Sequence, residues 1–372
     1  MFDQLFYSVS WNDIEQKIQS VNERDIQCAI AHAGHGTPDD FLALISPLAA
    51  EHLPALAEAS RKLTRKRFGN TIQMYIPMYL SNECQNICTY CGFRYDNQLP
   101  RVRLSDEQII SEAEHIKAMG FDHVLLVTGE ANKTVGIDYL EHAVKIIRPF
   151  FQNISIEVQP LDSEEYVRLI QAGVYSVLVY QETYHEANYK HYHPKGKKSN
   201  FTYRLQTPDR LGKSGIHKIG LGVLLGLENW RVDSYFTALH QHYLQKVYWK
   251  TKYSISFPRL RPAIGMESPK YELSNRDLVQ LICAYRLFNE DLELSLSTRE
   301  EATFRDHLFS IGVTSVSAGS KTNPGGYATL PEELEQFEID DKRSPAEIVH
   351  VLKSKGLQPL WKDWEKVFSF SE

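Results

Sequence analysis

The pattern of hydrophobic and polar positions changes near residue 70. The first 70 residues have a helical pattern, and Thr37-Pro38-Asp39-Asp40 predicts one helix start, because threonine is a favoured N-cap and proline fits the first helical position. In residues 71–80 apolar side chains alternate with Gln73, Tyr75, Pro77 and Tyr79, which is typical of a strand. The pattern therefore predicts an N-terminal helical extension over residues 1–70, followed by a strand.

Two later helices have recognisable ends. Ser105-Asp106-Glu107-Gln108 has the pattern of a capping box, and the apolar residues after it recur at helical spacing as far as Gly120. Near the C-terminus, Ser344-Pro345-Ala346-Glu347 predicts a helix start and Gly356 predicts its end. The first helix directly follows the first strand and its loop, as in a strand–helix repeat.

Seven more runs have the pattern of strands, with room for helices between them. They are residues 123–128, 154–159, 175–181, 217–225, 253–257, 292–297 and 313–318. Eight strands alternating with helices favour an α/β fold with a parallel sheet, and this number in a chain of this length favours a complete (β/α)8 TIM-type barrel over residues 71–318. Residues 319–372 are then expected to form a C-terminal extension that packs on the barrel.

Composition narrows the class of protein without changing this picture. The 372 residues are 42% hydrophobic and 24% charged, as in a soluble globular protein. The net charge of −6 gives no general reason to expect a nucleic-acid partner. Neither a secretory leader nor an apolar stretch of bilayer length is apparent, so we expect a cytoplasmic protein without a membrane partner.

The candidate chemistry is concentrated in one loop after the first strand. Cys84, Cys88 and Cys91 have the spacing Cys-x3-Cys-x2-Cys, and Tyr90 precedes the last cysteine. Three thiolates so close together can bind one iron–sulfur cluster, but a [4Fe-4S] cluster normally takes four cysteines. One iron would remain open, and an open iron can bind and reduce a substrate or cofactor.

Zinc and disulfides are the alternatives for these cysteines. Zinc can use three cysteines and a histidine, and although His52 and His115 are distant in sequence, the fold can still supply one. Disulfides are less favoured because the chain has five cysteines, three of them in this loop. Cys28 and Cys283 stand in apolar, helix-like surroundings, and we expect both to pack in the core.

The cysteine spacing resembles the signature of radical S-adenosylmethionine (SAM) enzymes. In that superfamily a Gly-Gly-Glu-like segment after the second strand binds the amino group of SAM, and Gly129-Glu130 resembles it although Thr128 replaces the first glycine. On its own, Gly129-Glu130 would be a loop turn. The resemblance also implies an adenine contact from Tyr90.

The run from Gly220 to Glu228 after the fifth strand resembles a second element of these enzymes. By itself the glycine pattern is weak: strand packing would explain it, and a Rossmann interpretation fails because no suitable helix start and acidic partner follow. Within a radical SAM barrel, the resemblance places Gly222, Val223 and Leu224 beside the adenine of SAM.

Longer runs resemble one family within the superfamily, the 2-iminoacetate synthases (ThiH), which are the tyrosine lyases of thiamine biosynthesis. These runs are residues 67–71, 125–130, 157–161, 180–185, 207–210, 256–262, 294–300, 321–327 and 361–364. The segment from residue 319 onward is also similar to the one that biotin and thiamine synthesis enzymes place after the barrel. The resemblance extends from the N-terminal helices to the C-terminal tail.

This resemblance implies a reaction, its cofactors and its partners. A reduced [4Fe-4S] cluster cleaves SAM to methionine and a 5′-deoxyadenosyl radical, which abstracts hydrogen from L-tyrosine. The Cα–Cβ bond of tyrosine then breaks to give 2-iminoacetate (dehydroglycine) and p-cresol. A complex with thiazole synthase (ThiG) and a reductant of the flavodoxin or ferredoxin type are implied as well.

The resemblance also implies site residues near the ends of later strands. Arg299 is the candidate clamp for the tyrosine carboxylate, because a guanidinium offers two parallel donors, and Ser297 can assist it. A structural salt bridge is the alternative for Arg299. Glu157 is expected to bind SAM, and Glu182 is a further catalytic candidate. Either SAM or the polar groups of the substrate can be bound by the residues after the fourth strand, which are Gln181, Glu182, Tyr184 and His185.

A loop rich in histidine and lysine follows the fourth strand. It contains His185, His191, His193, Lys195, Lys197 and Lys198. A second metal site is one interpretation, but no cysteine or carboxylate cluster completes a ligand set and the lysines would repel a cation. We therefore expect a solvated loop or a partner-binding surface.

Competing functions differ in what they require. A related tyrosine lyase makes carbon monoxide and cyanide for hydrogenase maturation with a second cluster on C-terminal cysteines, whereas this sequence has none after Cys283. Tryptophan lyase and the deazaflavin-forming relatives share the core, but the long runs fit the thiamine enzyme better. From another class, a zinc-bound scaffold or regulatory protein remains an alternative.

Overall fold

A computed structural model describes residues 1–263, 270–328, 330 and 335–362, and it begins with helices. The N-terminal helices are α1 (Phe2–Phe6), α2 (Trp11–Gln19), α3 (Glu23–Ala31), α4 (Pro38–Leu44) and α5 (Leu53–Phe68), with a 3-10 turn over Leu48–His52. The predicted start of α4 is confirmed, since Thr37 and Asp40 form a reciprocal capping box. Cys283 is buried as expected, but Cys28 is exposed on α3, so its predicted core role is wrong.

Eight parallel strands close into the predicted barrel. They are β1 (Thr71–Ser81), β2 (His123–Thr128), β3 (Asn153–Glu157), β4 (Val174–Leu178), β5 (Lys218–Leu221), β6 (Lys252–Ser256), β7 (Glu293–Leu296) and β8 (Ser315–Ser317). Neighbours pair in sequence order, and β1 pairs with both β8 and β2, which closes the ring. The TIM-type fold is therefore confirmed.

The remaining helices surround the barrel or follow it. They are α6 (Asp106–Ala118), α7 (Ile137–Ile147), α8 (Ser163–Ala172), α9 (Glu186–Tyr192), α10 (Phe201–Leu205), α11 (Thr207–Lys213), α12 (Trp230–Val247), α13 (Asn275–Phe288), α14 (Ala302–Leu308) and α15 (Pro345–Ser354). Ser105 and Ser344 cap α6 and α15 as predicted. Within the described residues, no helix is long and apolar enough to cross a bilayer.

Several predicted strands are longer than the observed ones: β3 ends at Glu157 and β4 at Leu178, rather than at residues 159 and 181. The largest such difference is at β5. β5 ends at Leu221 rather than at residue 225, because the next residues leave the sheet and pair with neighbouring loops: Leu224 N–H bonds to Glu182 O at 2.8 Å. A ninth strand, β9 (Gln358–Leu360), was not predicted; it pairs with the first residues of β1. Residues 363–372 of the predicted C-terminal extension lie outside the described residues.

Side chains alternate between the outside and the inside of the barrel. Outward residues such as Ile76, Val124 and Ile219 are buried and apolar, and they belong to the main core beneath the helices. The inner wall is instead rich in serine, where branched apolar residues usually dominate. In its lower half, serine side chains line a small cavity in which Lys218 Nζ lies 2.6 Å from Glu293 Oε2.

A buried ion pair attaches the C-terminal extension to the barrel. Arg305 on α14 and Asp341 are both fully buried, and the guanidinium donates to the carboxylate. Arg343 adds a second guanidinium, 2.8 Å from the same Asp341 oxygen. Because burial without a partner is costly for a charge, this pair depends on both members.

We expect Asp341→Ala to lower the free energy of unfolding by about 3–5 kcal/mol, because it leaves the Arg305 guanidinium buried without its carboxylate. Urea unfolding of the cluster-free protein measures this change. The control is Asp291→Ala, which removes an exposed ion pair with Arg67 and should change stability by less than about 1 kcal/mol. Equal effects of the two substitutions would contradict the structural role of Asp341.

Candidate active site

Two joined cavities open at the carboxyl ends of the barrel strands. The upper cavity includes Cys84, Cys88 and Cys91 in its lining. The lower one lies deeper in the barrel mouth. Glu157 and Arg299 line both. A molecule in one cavity would therefore lie next to a molecule in the other.

The three cysteines are enclosed by apolar and aromatic side chains. Cys88 is buried, whereas Cys84 and Cys91 are half-buried and pack near Tyr79 and Phe93. Burial, with the nearby Cys91 and Glu130, raises the pKa of Cys84 to about 11. Burial likewise holds the pKa of the Cys88 thiol well above its usual range, although the positive Lys198 opposes it. Deprotonation of these thiols therefore needs a strong local positive charge, which iron supplies on binding.

Backbone hydrogen bonds from distant segments hold the cysteine loop in place. Gln85 N–H bonds to Glu130 O at 3.0 Å, Ile87 N–H to Lys195 O at 2.9 Å, and Thr89 N–H to Tyr192 O at 3.1 Å. Gly196, with a φ of +98°, approaches so closely that a Cβ would stand 2.1 Å from the Asn86 side-chain oxygen. The loop is thus shaped by the protein before any metal binds.

The donor set fits an iron–sulfur cluster better than zinc. Among the described residues, no three His, Cys, Asp or Glu side chains come close enough to hold a single metal ion. Three thiols on one cavity wall suit a cluster, in which each thiolate binds a different iron. Cys84, Cys88 and Cys91 would hold such a cluster and leave its fourth iron facing the cavity.

Two carboxylates and two cations form a network on the cavity wall beside the loop, where the Asn86 side-chain amide donates to Glu130 Oε2 at 2.8 Å. Arg204 Nη1 lies 2.9 Å from Glu130 Oε1, and Lys198 Nζ lies 2.7 Å from Glu182 Oε1. Burial opposes ionisation of Glu130, but the charges of Arg204 and Lys198 hold its pKa below the ordinary value. Glu182 has a φ of +71°, the only positive φ of a non-glycine residue in the described part of the chain. Such strain is characteristic of functional sites.

A buried histidine fixes Tyr90 of the cysteine loop. His193 Nδ1 lies 2.9 Å from the Tyr189 carbonyl, so that nitrogen carries the hydrogen, and Nε2 then accepts from the Tyr90 hydroxyl at 2.6 Å. Burial lowers the pKa of His193 well below its usual value, which keeps the ring neutral. Tyr90 is therefore held in one orientation at the cavity wall.

Most of the predicted site residues meet at these cavities. The upper cavity is lined by Cys84, Cys88, Tyr90, Cys91, Gly129, Glu130, Glu157, Glu182, Leu224 and Arg299. Ser297 lines the lower cavity. Gly129 must be a glycine, because a Cβ there would stand 2.2 Å from the Glu83 carbonyl oxygen.

Three predicted cofactor residues do not line either cavity. Gln181 is buried, and its amide nitrogen has no hydrogen-bond partner among the described residues. Gly222 packs against the Tyr180 ring and the Ser256 carbonyl, and the Val223 side chain lies in the core. Any contact of Gly222 or Val223 with a cofactor would therefore involve the backbone, and the predicted roles of all three residues stay predictions.

The guanidinium of Arg299 stacks on an aromatic ring. Its carbon lies 3.5 Å from the centre of the Phe337 ring, and Nη1 donates to the Arg259 carbonyl at 3.3 Å. Within the described residues Arg299 forms no salt bridge, so the structural alternative for this residue is not supported. Burial raises the pKa of the neighbouring Glu157 to about 7, although the positive Arg299 acts in the opposite direction.

The expectation of a solvated histidine–lysine loop is wrong for three of its residues. His193 is buried against Tyr90, and His185 stacks on Trp11 and lies 3.1 Å from Glu228. Lys198 is buried in the charge network. Their roles were missed because they depend on tertiary contacts with Tyr90, Trp11 and Glu182, which no local pattern reveals.

Other missed residues come from segments without a recognisable motif. Arg204 lies on the short helix α10, and Gln336 and Phe337 lie in the C-terminal extension, yet all three line the upper cavity. Residues 321–327 of that extension resemble the family, but the resembling run ends before residue 336. No local pattern in the sequence distinguishes these three residues from surface residues.

Known proteins match this chain over the barrel, the C-terminal extension and nearly its whole length. Residues 78–236 match the model of the radical SAM superfamily, and residues 256–358 match the Biotin and Thiamin Synthesis associated domain. The chain is 49% identical over 365 residues to the 2-iminoacetate synthase of Salmonella typhimurium, which covers 98% of this chain and 97% of that one. The 2-iminoacetate synthase of Escherichia coli is 49% identical over the same shares of the two chains.

A solved structure shares the fold and much of the sequence. The crystal structure of HydG, a maturase of the [FeFe]-hydrogenase, superposes with a TM-score of 0.89 at 31% identity. The similarity covers 94% of this chain and 80% of the HydG chain. The barrel and its extensions therefore have an experimental counterpart.

We expect Glu157→Gln to flatten the pH dependence of stability. Because burial raises the pKa of folded Glu157 from the ordinary 4.5 to about 7, the folded state holds its proton more strongly, and its contribution to stability is lost as the pH rises from about 4.5 through 7. Urea midpoints at pH 5 and pH 8 measure this loss, which should be larger for the wild type than for the variant. Parallel pH dependence would contradict it, since other titrating groups are common to both proteins.

Proposed function

The chain belongs to the 2-iminoacetate synthase family of radical SAM enzymes, and we propose that its two joined cavities carry out the family's reaction. The protein cleaves the Cα–Cβ bond of L-tyrosine to 2-iminoacetate and p-cresol, with SAM converted to methionine and 5′-deoxyadenosine, for the thiazole of thiamine. The observation that carries this proposal is the juxtaposition of three cysteines and Arg299 on one continuous cavity. The identity of 49% over nearly the whole chain favours this activity over that of HydG, at 31%.

The upper cavity holds the [4Fe-4S] cluster and SAM. Once bound by Cys84, Cys88 and Cys91, the cluster supplies the electron that cleaves SAM to methionine and the 5′-deoxyadenosyl radical. The polar end of SAM carries an ammonium and a carboxylate, and the wall of this cavity offers both opposite charges. We assign the ammonium to Glu130, which is already paired with a cation.

The adenosine end of SAM needs a flatter and less polar surface. Tyr90, fixed by His193, and Leu224 supply such a surface on the same cavity. Gly129 lines the same cavity, and because it has no side chain its backbone can lie against the Glu83 carbonyl. Gln181, Gly222 and Val223 do not line the cavity, so we assign them to the same end of the site only through the backbone or by packing.

The lower cavity holds L-tyrosine. Arg299 binds the carboxylate of the substrate, since its guanidinium is held on Phe337 and is free of any carboxylate among the described residues. Ser297 donates a further hydrogen bond to the substrate. Glu157 lines both cavities, and Glu182 lines the upper one. The barrel encloses both ligands, which keeps water and other C–H bonds away from a reactive primary radical.

The reaction chemistry implies two protein partners. 2-Iminoacetate hydrolyses in water, so its delivery to thiazole synthase (ThiG) in a complex would protect it. Reduction of the cluster needs a one-electron donor of the flavodoxin or ferredoxin type. We place the reaction in the cytoplasm, where thiols remain reduced.

We expect Cys88→Ala to abolish the formation of p-cresol and 5′-deoxyadenosine, because the cluster loses one of its three ligands. An anaerobic assay with tyrosine, SAM and a reductant measures both products. The matched control is Cys28→Ala, which removes an exposed cysteine on α3 and should keep wild-type turnover. Wild-type turnover in Cys88→Ala, or bound zinc without iron in the wild type, would overturn the proposed function.

We expect Arg299→Ala to raise KM for tyrosine by roughly 10- to 100-fold, which is the loss of a hydrogen-bonded contact with a charged group. KM for SAM should rise much less than KM for tyrosine, since the polar end of SAM is assigned to Glu130 and not to Arg299. Initial anaerobic rates over a range of each substrate measure the two constants. An equal rise in both constants would indicate that Arg299 has a structural role instead.

A further inference from the structure

A short segment of the C-terminal extension crosses the mouth of the barrel beside the cysteine loop. We call residues 335–339 the strap. Its Gln336 carbonyl accepts from Gly92 N–H at 3.2 Å, and its Gln336 N–H donates to Thr322 O at 3.0 Å. A Cβ on Gly92 would stand 2.5 Å from the Gln336 carbonyl oxygen, so the two backbones are in close contact. Both bonds fix the backbone position of Gln336.

The side chain of Gln336 reaches a cluster cysteine. Its Nε2 lies 3.6 Å from Cys91 Sγ, within hydrogen-bonding distance for sulfur. At its other end, Oε1 accepts from the Tyr79 hydroxyl at 2.8 Å. The amide therefore bridges the first strand and the last cysteine of the loop.

The chemistry of the partners sets the orientation of this amide. A metal-bound thiolate has no hydrogen and can only accept, so the NH₂ group of Gln336 must face Cys91. The oxygen then faces Tyr79, whose hydroxyl has a hydrogen to donate.

Hydrogen bonds to cluster sulfurs raise the reduction potential of iron–sulfur clusters. A donor at a thiolate withdraws negative charge from the cluster, and it stabilises the reduced state more because that state carries one more negative charge. This effect is strong where water is scarce, and Cys91 packs against Tyr79 and Phe93.

We propose that Gln336 is a positioning residue for the iron–sulfur cluster, whose amide N–H donates to the Cys91 thiolate and raises the reduction potential of the cluster. The proposal rests on the proposed function only in requiring a cluster on Cys84, Cys88 and Cys91. Tyr79 orients the amide, and the backbone bonds of the strap fix its distance. Electron transfer from a low-potential one-electron donor to the cluster becomes more favourable as a result.

The experiment measures the midpoint potential of the reconstituted cluster by EPR-monitored titration, without SAM or tyrosine. In Gln336→Leu, which keeps the size and removes the donor, the potential should become more negative than in the wild type while iron content is unchanged. In Gln336→Glu, which replaces the donor with an acceptor, it should fall further. An unchanged potential in Gln336→Leu at full iron content would overturn the proposal.

Two further variants separate this effect from a general disturbance of the strap. Glu338→Gln alters an exposed side chain of the same strap and should not lower the potential. Tyr79→Phe removes the hydroxyl that orients the amide and should lower the potential by less than Gln336→Leu. If Gln336→Leu fails to bind iron, the Tyr79→Phe result decides, and an unchanged potential there would overturn the proposal.

The measurement of the midpoint potential and the product assay test the two proposals independently. A potential that shifts as expected in an enzyme that makes no p-cresol would reject the proposed function and keep the role of Gln336. Wild-type p-cresol formation with no shift of the potential in Gln336→Leu or Tyr79→Phe would keep the proposed function and reject the role of Gln336.

Discussion

The site depends on backbone hydrogen bonds that hold a loop with no regular structure of its own. The cysteine loop receives carbonyl groups from the loop after β2, from the segment after α9 and from the strap, at Glu130, Lys195 and Gln336. Each of these segments is placed by a different part of the barrel. Because a buried N–H needs a partner, the same bonds that satisfy the loop also determine where its thiols point. Closure of the barrel therefore also determines the positions of the three thiols.

Charge is balanced inside the site before any ligand enters. Glu130 and Glu182 face Arg204 and Lys198, and each ion is buried with a partner. A ligand with one positive and one negative group can exchange partners with this network without leaving a charge alone, which limits the cost of desolvation. Below the site the inner wall of the barrel is rich in serine, so the apolar core lies on the outer face of the strands, beneath the helices. The barrel therefore owes its stability to the helices around it, while its interior remains available for polar molecules.

Periodicity and local signals in the sequence were enough to predict the eight strands, the capped helices and the cysteine loop, because each of these is encoded within a few residues. The position of Arg299 at a strand end followed from the barrel. His193 and Gln336 were misjudged or missed because their roles come from contacts across roughly a hundred or more residues. Lys198 was misjudged because its role depends on tertiary contacts with Glu182 and Glu130. Strand β9 has only three residues and pairs with the first residues of β1, far away in the sequence, so no local pattern predicts it.

The strap has a consequence for how the protein is made. Cys91 and Gln336 are separated by 245 positions, and β1 pairs with β8 and β9 from the last sixth of the chain. At a synthesis rate of about 5–20 residues per second, Cys91 leaves the ribosome roughly 10–50 seconds before its hydrogen-bond partner. During that interval the three thiols belong to an unclosed barrel and are open to oxidants and to free metal ions. The fold therefore does not protect these thiols during synthesis, and their protection depends on other components of the cell.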